Sequence, residues 1–152
     1  MTALTMDVSE RRFAVHEHRD LAFGLAEMDD AIERATELSV TDLWARLYRI
    51  LTWIEHDLRP HIAWEDAWLY ARIDERTGTP WATRSARAEH RQIEALATAL
   101  DADVERLLEH RTPRFAADAI AHLSAIRAVV GGHVEREERL LLPVLDADVE
   151  VG

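Results

Sequence analysis

Residues 61–65 read HIAWE, and residues 133–137, which lie 72 positions later, read HVERE. Each segment has a histidine four residues before a glutamate, a spacing that places both side chains on one face of an α-helix. The upstream sequence repeats at the same offset, since residues 17–20 read EHRD and residues 89–92 read EHRQ. The chain therefore consists of two similar halves. In each half the repeated residues are one histidine and, further along, an HxxxE pair.

Four helices account for the rest of the chain. It has only 5 Gly and 4 Pro, and a chain with so few turn residues favours long helices. Helix start signals occur at a capping box over residues 7–10, at Ser39, at Thr79-Pro80 and at Thr112-Pro113. We predict an all-α single domain, residues 1–152, with helices over about residues 9–38, 41–75, 80–110 and 113–142. Short connections favour an up-down-up-down antiparallel four-helix bundle, in which the repeat predicts a pseudo-twofold axis between the halves.

Two irregularities fall inside predicted helices. Pro60 would delete one backbone hydrogen bond of the second helix, and Gly131-Gly132 weakens the fourth. Because the apolar face continues in phase on both sides, we expect kinks rather than breaks.

The apolar faces of the helices indicate which way the repeated residues point. Around His61, a rotation of about 100° per residue brings these side chains to one face: Leu43, Leu47, Ile50, Ile54, Glu65, Trp68 and Arg72. Around His133 the same face holds Ile126, Glu137, Leu140 and Val144. On the first and third helices, His18 and His90 lie at the edge of the apolar stripes formed by Leu21, Leu25, Met28 and Ile32, and by Ile93, Ala97, Leu100 and Val104.

Six ionisable side chains are thus predicted to face the interior of the bundle. Two unpaired carboxylates buried near each other are unfavourable, and a cation among them removes that cost. Carboxylates can bridge two metal ions, whereas an imidazole serves one. We therefore predict a two-metal site formed by His18, His61, Glu65, His90, His133 and Glu137.

Each of these residues also has a simpler explanation. A core-facing histidine is more often a hydrogen-bonded structural residue than a ligand, and an isolated HxxxE pair is usually a contact on a helix surface. An inert structural bundle would follow from those readings. The six residues in phase and in duplicate favour the metal site instead.

Other side chains near the site have weaker signals. His16, His56 and His110 lie far from the inner faces and are predicted to be solvated. His122 lies three turns before His133, so we expect a core or bundle-end residue rather than a ligand. For Trp53, Trp64 and Trp68, core packing is favoured over shielding of a pocket. Glu94, one turn after His90, is favoured as a surface residue, with an additional ligand as the alternative.

Composition excludes several classes of function. A net charge of −11 disfavours binding to nucleic acid, and the absence of cysteine excludes disulfides and thiolate-bound clusters. ExxH and HExxH motifs, typical of ferritin-like di-iron sites and of zinc hydrolases, do not occur. No long apolar run and no signal peptide stand out, so we expect a cytoplasmic protein without a membrane partner.

The order H…HxxxE…H…HxxxE resembles the hemerythrin-like (HHE, cation-binding) family over about residues 13–145, including the closing EERLLLP that follows His133. This resemblance implies a non-haem di-iron centre with an oxo or hydroxo bridge, four terminal His ligands, and Glu65 and Glu137 as bridging ligands. The implied partners are dioxygen or a related small oxidant such as peroxide or nitric oxide.

The chain also differs from some members of that family. Oxygen carriers have a fifth histidine where this chain has Glu94, and many iron–sulfur repair proteins carry a Cys-containing N-terminal segment that is absent here. With Glu94 in solvent, the two ions would have nearly symmetric surroundings. The alternative function is an iron-sensing or iron-donating module without turnover. Turnover, the electron donor, the resting redox state and the oligomeric state stay open at this stage.

Overall fold

The computed structural model describes the backbone of residues 2–149 and the side chains of residues 18–146. Within that range the chain is helical and has no strand. Four long helices form a four-helix bundle, in agreement with the predicted fold class. They are α1 (Thr2–Glu33), α2 (residues 40–77), α3 (Trp81–His110) and α4 (residues 113–141), and α4 continues into a 3₁₀ segment, Leu142–Val149.

Local signals set most of the helix ends. The Ser39 side chain accepts a hydrogen bond from the backbone N–H of Asp42 at 3.1 Å, and Thr112 caps α4 in the same way through Phe115. Gly78, with φ of 69°, ends α2, because a residue without Cβ adopts the left-handed conformation without strain. The predicted cap of α3 was shifted by one residue. Pro80 occupies the cap position itself, while the Thr79 hydroxyl accepts a hydrogen bond from the N–H of Trp81.

The predicted bounds of α1 were wrong at both ends. The helix already includes the predicted capping box at residues 7–10. It ends at Glu33 rather than near Leu38. A capping sequence is a local preference that a continuing helix overrides. Leu38 is partly buried because the connecting turn packs it against the core. The apolar pattern therefore continues beyond the last residue of the helix.

Three π turns interrupt the regular helices. α2 consists of Val40–Trp53, a π turn Ile54–Leu58, Arg59–Trp64, a second π turn Glu65–Leu69, and Tyr70–Thr77. In α4, Pro113–Arg136 is followed by the π turn Glu137–Leu141. A π turn contains one more residue than an α turn, so it moves the buried face forward by one position.

The π turns overturn part of the predicted inner face. Beyond Glu65, the predicted inward residues Trp68 and Arg72 do not line the core, and Trp68 is 63% exposed. The residues one position later, Leu69 and Ile73, are buried instead. In the same way Leu141 and Leu145 are buried after Glu137, whereas Leu140 is 66% exposed and Val144 only partly buried.

The two predicted irregularities have different outcomes. Pro60 follows the π turn Ile54–Leu58, in which the N–H of Arg59 donates to the carbonyl of Ile54. A wide turn at this point accommodates a residue that has no N–H to donate and whose ring crowds the preceding turn. Gly131 and Gly132 lie within the continuous segment Pro113–Arg136, so the helix does not break there, as expected. A Cβ at Gly131 would lie 2.2 Å from the guanidinium of Arg127, so the glycine leaves room for that side chain.

Two apolar clusters fill the bundle on either side of a polar layer. The larger cluster includes Met28, Leu47, Leu100 and Leu123, and α1 packs against α2 and α4 while α3 packs against the same two helices. The smaller cluster is formed by Leu69, Tyr70, Ile73, Ala86, Leu141, Leu142 and Leu145. The predicted ligands of α2, α3 and α4 lie in sequence between members of one cluster and members of the other.

One helix, residues 113–146, is long and apolar enough to cross a membrane when length and composition alone are considered. This criterion is weak because the core helix of a bundle also meets it. Here the helix supplies buried polar side chains to the centre of the bundle.

Candidate metal centre

The structure brings all six predicted ligands together in the polar layer. Each of the six residues is at most 4% exposed. They form two groups whose ligand atoms lie within 4.8 Å of one another: His18, His61, Glu65 and Glu137 in one group, and Glu65, His90, His133 and Glu137 in the other. Both glutamates belong to both groups, and each histidine belongs to one.

The distances in the second group fit donors arranged around a single point. Oε1 of Glu65 lies 3.2 Å from Nε2 of His90 and 3.5 Å from Nε2 of His133. The two histidine Nε2 atoms are 3.1 Å apart, and Oε1 of Glu137 is 2.8 Å from Nε2 of His133. All these atoms therefore converge on one small volume.

The first group is arranged in the same way, with its two histidines on α1 and α2. Nε2 of His18 lies 2.9 Å from Oε2 of Glu137, and Nε2 of His61 lies 3.2 Å from Oε1 of Glu65. The two imidazole rings are 5.4 Å apart between centroids. Glu65 and Glu137 thus contact histidines on both sides of the polar layer.

The charges of the buried groups stabilise one another. Burial alone would raise the pKa of Glu65, but its contacts with Glu137 and with three histidines lower it well below its usual range. Burial also lowers the pKa of His133, but hydrogen bonds to Glu137 and Glu65 raise it to about 10. The pKa of His18 is raised for the same reason, by Glu137 and Glu138 against the effect of burial. Glu65 is therefore an anion that attracts a positive charge, either a proton on a histidine or a metal ion.

Carboxylates outside the cluster hold the other ring nitrogen of three histidines. Nδ1 of His90 is 2.9 Å from Oδ1 of Asp66, and Nδ1 of His18 is 3.1 Å from Oε1 of Glu138. Nδ1 of His133 is 3.1 Å from Oε2 of Glu89, which Arg136 also contacts. Such contacts fix the tautomer with Nε2 free for a metal, and they are typical of metal-binding histidines. Asp66 and Glu138 directly follow Glu65 and Glu137 and are turned about 100° from them on a regular helix, so these contacts have no signal in the sequence.

The donor set fits a metal ion. Oε2 of Glu65 is fully buried and has no hydrogen-bond partner among the described residues. An ionised oxygen in this position is unfavourable unless a cation contacts it. Imidazole nitrogens and carboxylate oxygens, with no thiolate, are suitable ligands for iron and similar divalent ions.

The family to which the chain belongs follows from comparison with known proteins. A family model described as the hemerythrin HHE cation-binding domain matches residues 12–145. The chain belongs to this family. No curated protein and no solved structure matched it. The domain is therefore a cation-binding one, and the resemblance stated from the residues is confirmed.

A seventh polar side chain lies inside the hemerythrin-like centre. Tyr70 is fully buried, and its hydroxyl lies 3.1 Å from Nε2 of His90, 3.2 Å from Nε2 of His133, and in contact with Oε1 of Glu137. Burial, together with the charges of Glu65 and Glu137, raises the pKa of Tyr70. A regular helix would point Tyr70 away from Glu65, so its place in the site cannot be predicted without knowledge of the π turn.

The alternative side chains lie outside the two groups. The carboxylate of Glu94 is 3.2 Å from Nε of Arg59 and half exposed, so it is a surface residue in an ion pair. His122 contacts the buried carboxylate of Asp103, and His56 and His110 are exposed as predicted. The side chain of His16 lies outside the described residues.

The tryptophans near the site are only partly in agreement with core packing. Trp53 is partly buried and packs against the larger cluster, where Gly24 leaves room for its indole. Trp64 is partly buried against the smaller cluster. Trp68 faces solvent, so the prediction of core packing was wrong for this residue because the π turn rotates it outward.

Proposed function

We propose that this chain is a non-haem di-iron protein that binds dioxygen or a related small oxidant such as peroxide or nitric oxide. The observation that carries this proposal is the sharing of Glu65 and Glu137 by two four-residue groups. Because a carboxylate can bridge two ions whereas an imidazole serves one, the arrangement supports a pair of ions rather than a single ion. His18 and His61 would serve one ion, and His90 and His133 the other.

The choice of iron rests on the ligands and on the family. Two histidines and a share in two carboxylates suit iron, and they leave coordination positions for an exogenous ligand. When bound, a pair of iron ions supplies Lewis-acid and one-electron redox chemistry. An oxo or hydroxo bridge would complete the centre.

The protein itself positions the ligands and limits access of water. Asp66, Glu89 and Glu138 hold Nδ1 of three histidines, so that Nε2 faces the interior. The two apolar clusters enclose the polar layer on both sides. A surface cavity of about 460 Å³ reaches one edge of the site, and it is lined by Ile62, Asp66, Arg87, His90, Arg91 and Glu94.

The up-down-up-down topology and the pseudo-twofold repeat are part of the proposal. One contact occurs in both halves of the chain, since Asp66 contacts His90 and Glu138 contacts His18. Asp66 and Glu138 are 72 residues apart, and so are His18 and His90. The π turns Glu65–Leu69 and Glu137–Leu141 also recur at that offset. These correspondences support two equivalent helical hairpins, each of which completes the site of the other.

A cytoplasmic location is proposed from composition. The acidic charge disfavours nucleic acid, and we expect neither nucleic acid nor a membrane as a partner. A redox role would require an electron donor of unknown identity.

Metal analysis and spectroscopy test the proposal together. Protein purified from iron-replete cells should contain about two iron ions per chain and show charge-transfer absorption in the near ultraviolet. After anaerobic reduction, separate additions of air, peroxide and nitric oxide should each be followed by spectrum. A chain with a single zinc ion, or with no metal, would contradict the proposal. Reduced protein whose spectrum does not change after any of the three additions, but which loses iron readily to a chelator, would favour the iron-sensing or iron-donating module.

A further inference from the structure

The Tyr70 hydroxyl lies beside both histidines of one group, His90 and His133, and contacts the shared Glu137. Its distances to Nε2 of His90 and His133 are 3.1 and 3.2 Å, nearly the same as the 3.1 Å between those two nitrogens. Two ligands at right angles around one ion, each about 2.1 Å from it, lie about 3.0 Å apart. The hydroxyl oxygen therefore has the spacing of a ligand in the same coordination shell.

The backbone holds Tyr70 in that position. The N–H of Tyr70 donates to the carbonyl of Glu65 across the π turn, so Tyr70 lies one wide turn below a shared ligand and on the same face. Its ring stacks on His90 with centroids 5.2 Å apart, and the guanidinium of Arg87 lies 5.3 Å from the ring centre. A buried ring fixed in this way has little freedom to turn its oxygen elsewhere.

The other half of the chain has no equivalent oxygen. Leu142 occupies the position of Tyr70 at the 72-residue offset, and the N–H of Leu142 donates to the carbonyl of Glu137 in the matching π turn. The Tyr70 hydroxyl contacts His90, His133 and the shared Glu137, and among the described side chains no hydroxyl contacts His18. The two groups are therefore chemically different, although their histidines and glutamates match.

We propose that Tyr70 is an additional oxygen ligand of the ion held by His90 and His133, and that the ion held by His18 and His61 is the one left open to small ligands. This inference rests on the proposed function, since it requires two ions. Coordination replaces the O–H bond of the phenol with an oxygen–metal bond, and the proton is released to solvent. The centre is then asymmetric because of Tyr70. Glu94, which pairs with Arg59 at the surface, adds no ligand to the ion held by His90.

Absorption spectroscopy of variants tests the ligand directly. Iron(III)-loaded protein should show a visible phenolate-to-iron band, and zinc titration of metal-free protein should show a near-ultraviolet tyrosinate difference signal. Tyr70→Phe should lose both signals while it retains the metal content of the unmodified protein. Tyr48→Phe is the matched control, because Tyr48 is 57% exposed and stacks on Trp44 away from the site. It should retain both signals.

The outcomes separate this inference from the function on which it rests. Protein that binds two metal ions without a tyrosinate signal, or a Tyr70→Phe protein that keeps the signal, overturns the role of Tyr70 and leaves the di-iron proposal intact. Protein that binds no metal overturns both. Loss of the signal in Tyr70→Phe with unchanged metal content supports the inference.

Discussion

Nδ1 of His90 lies 2.9 Å from Oδ1 of Asp66, the residue that follows the shared glutamate Glu65. One turn of α2 thus supplies both a predicted ligand and the group that orients a histidine on α3. A carboxylate in this position fixes the tautomer and raises the basicity of the imidazole. The contact couples two helices to the geometry of the metal centre.

Asp66→Ala is expected to weaken metal binding without unfolding the bundle. Loss of an outer carboxylate of this kind typically costs about 10–100-fold in metal affinity. Competition with a chromophoric chelator measures the change. Asp57→Ala, at an exposed position of the same helix, is the control and should leave the affinity unchanged. Equal effects of both substitutions would mean that the contact with His90 does not orient a ligand.

The shared glutamates should be necessary for both ions. Glu65→Gln or Glu137→Gln preserves the shape of the side chain but removes the charge that belongs to both groups. Metal content should therefore fall from about two ions per chain to less than one. His56→Ala and His110→Ala, both exposed, should leave it unchanged. A Gln variant that keeps one tightly bound ion would show that the carboxylates do not bridge.

The pH dependence of stability should have opposite signs with and without metal. In metal-free protein the pKa of His18 is raised, and that of His133 is raised to about 10, so their contribution is complete below the usual 6.5 and is lost as pH rises toward 10. In metal-bound protein, protons compete with the ions for the imidazoles, so stability should fall as pH decreases through the histidine range. Thermal unfolding from about pH 5.5 to about pH 11, one unit beyond each end of that window, measures both curves. Superimposable curves would exclude metal from the stability of the bundle.

Glu94 should be dispensable for metal binding. Its carboxylate pairs with Arg59 at the surface, and such an exposed pair contributes about 0–1 kcal/mol to folding. Glu94→Ala should therefore keep its metal content and its absorption spectrum. A change in either would show that Glu94 is a metal ligand in spite of its ion pair with Arg59.

The predicted ligands could be found from sequence because two independent patterns agreed on them. The 72-residue repeat selected the histidines and glutamates, and the helical period placed His61 and Glu65 on one face. Both patterns require one inner face up to Glu65, and the buried side chains of α2 keep that face despite the π turn Ile54–Leu58. Beyond Glu65 and Glu137 the period failed, because a π turn depends on the packing of the whole bundle and has no local sequence signal. Tyr70 was missed and Trp68 misplaced for this one physical reason.

Deleting a residue within a π turn should be tolerated better than deleting one beside it. Ala67 and Ala71 are both exposed alanines of α2, but only Ala67 lies in the π turn Glu65–Leu69. Without Ala67 the wide turn can become a regular α turn, and the side chains that follow keep their buried face.

Without Ala71, in contrast, the residues that follow rotate by about 100° and Ile73 leaves the core, at a cost of about 2–5 kcal/mol. Thermal unfolding of the two deletion variants measures the difference, with the smaller decrease in midpoint expected for the deletion of Ala67. The tyrosinate signal should also survive that deletion, because Tyr70 would then follow Glu65 by one α turn and still face His90. A larger loss of stability on deletion of Ala67 than of Ala71 would show that the extra residue is required for packing and does not merely displace the helical register.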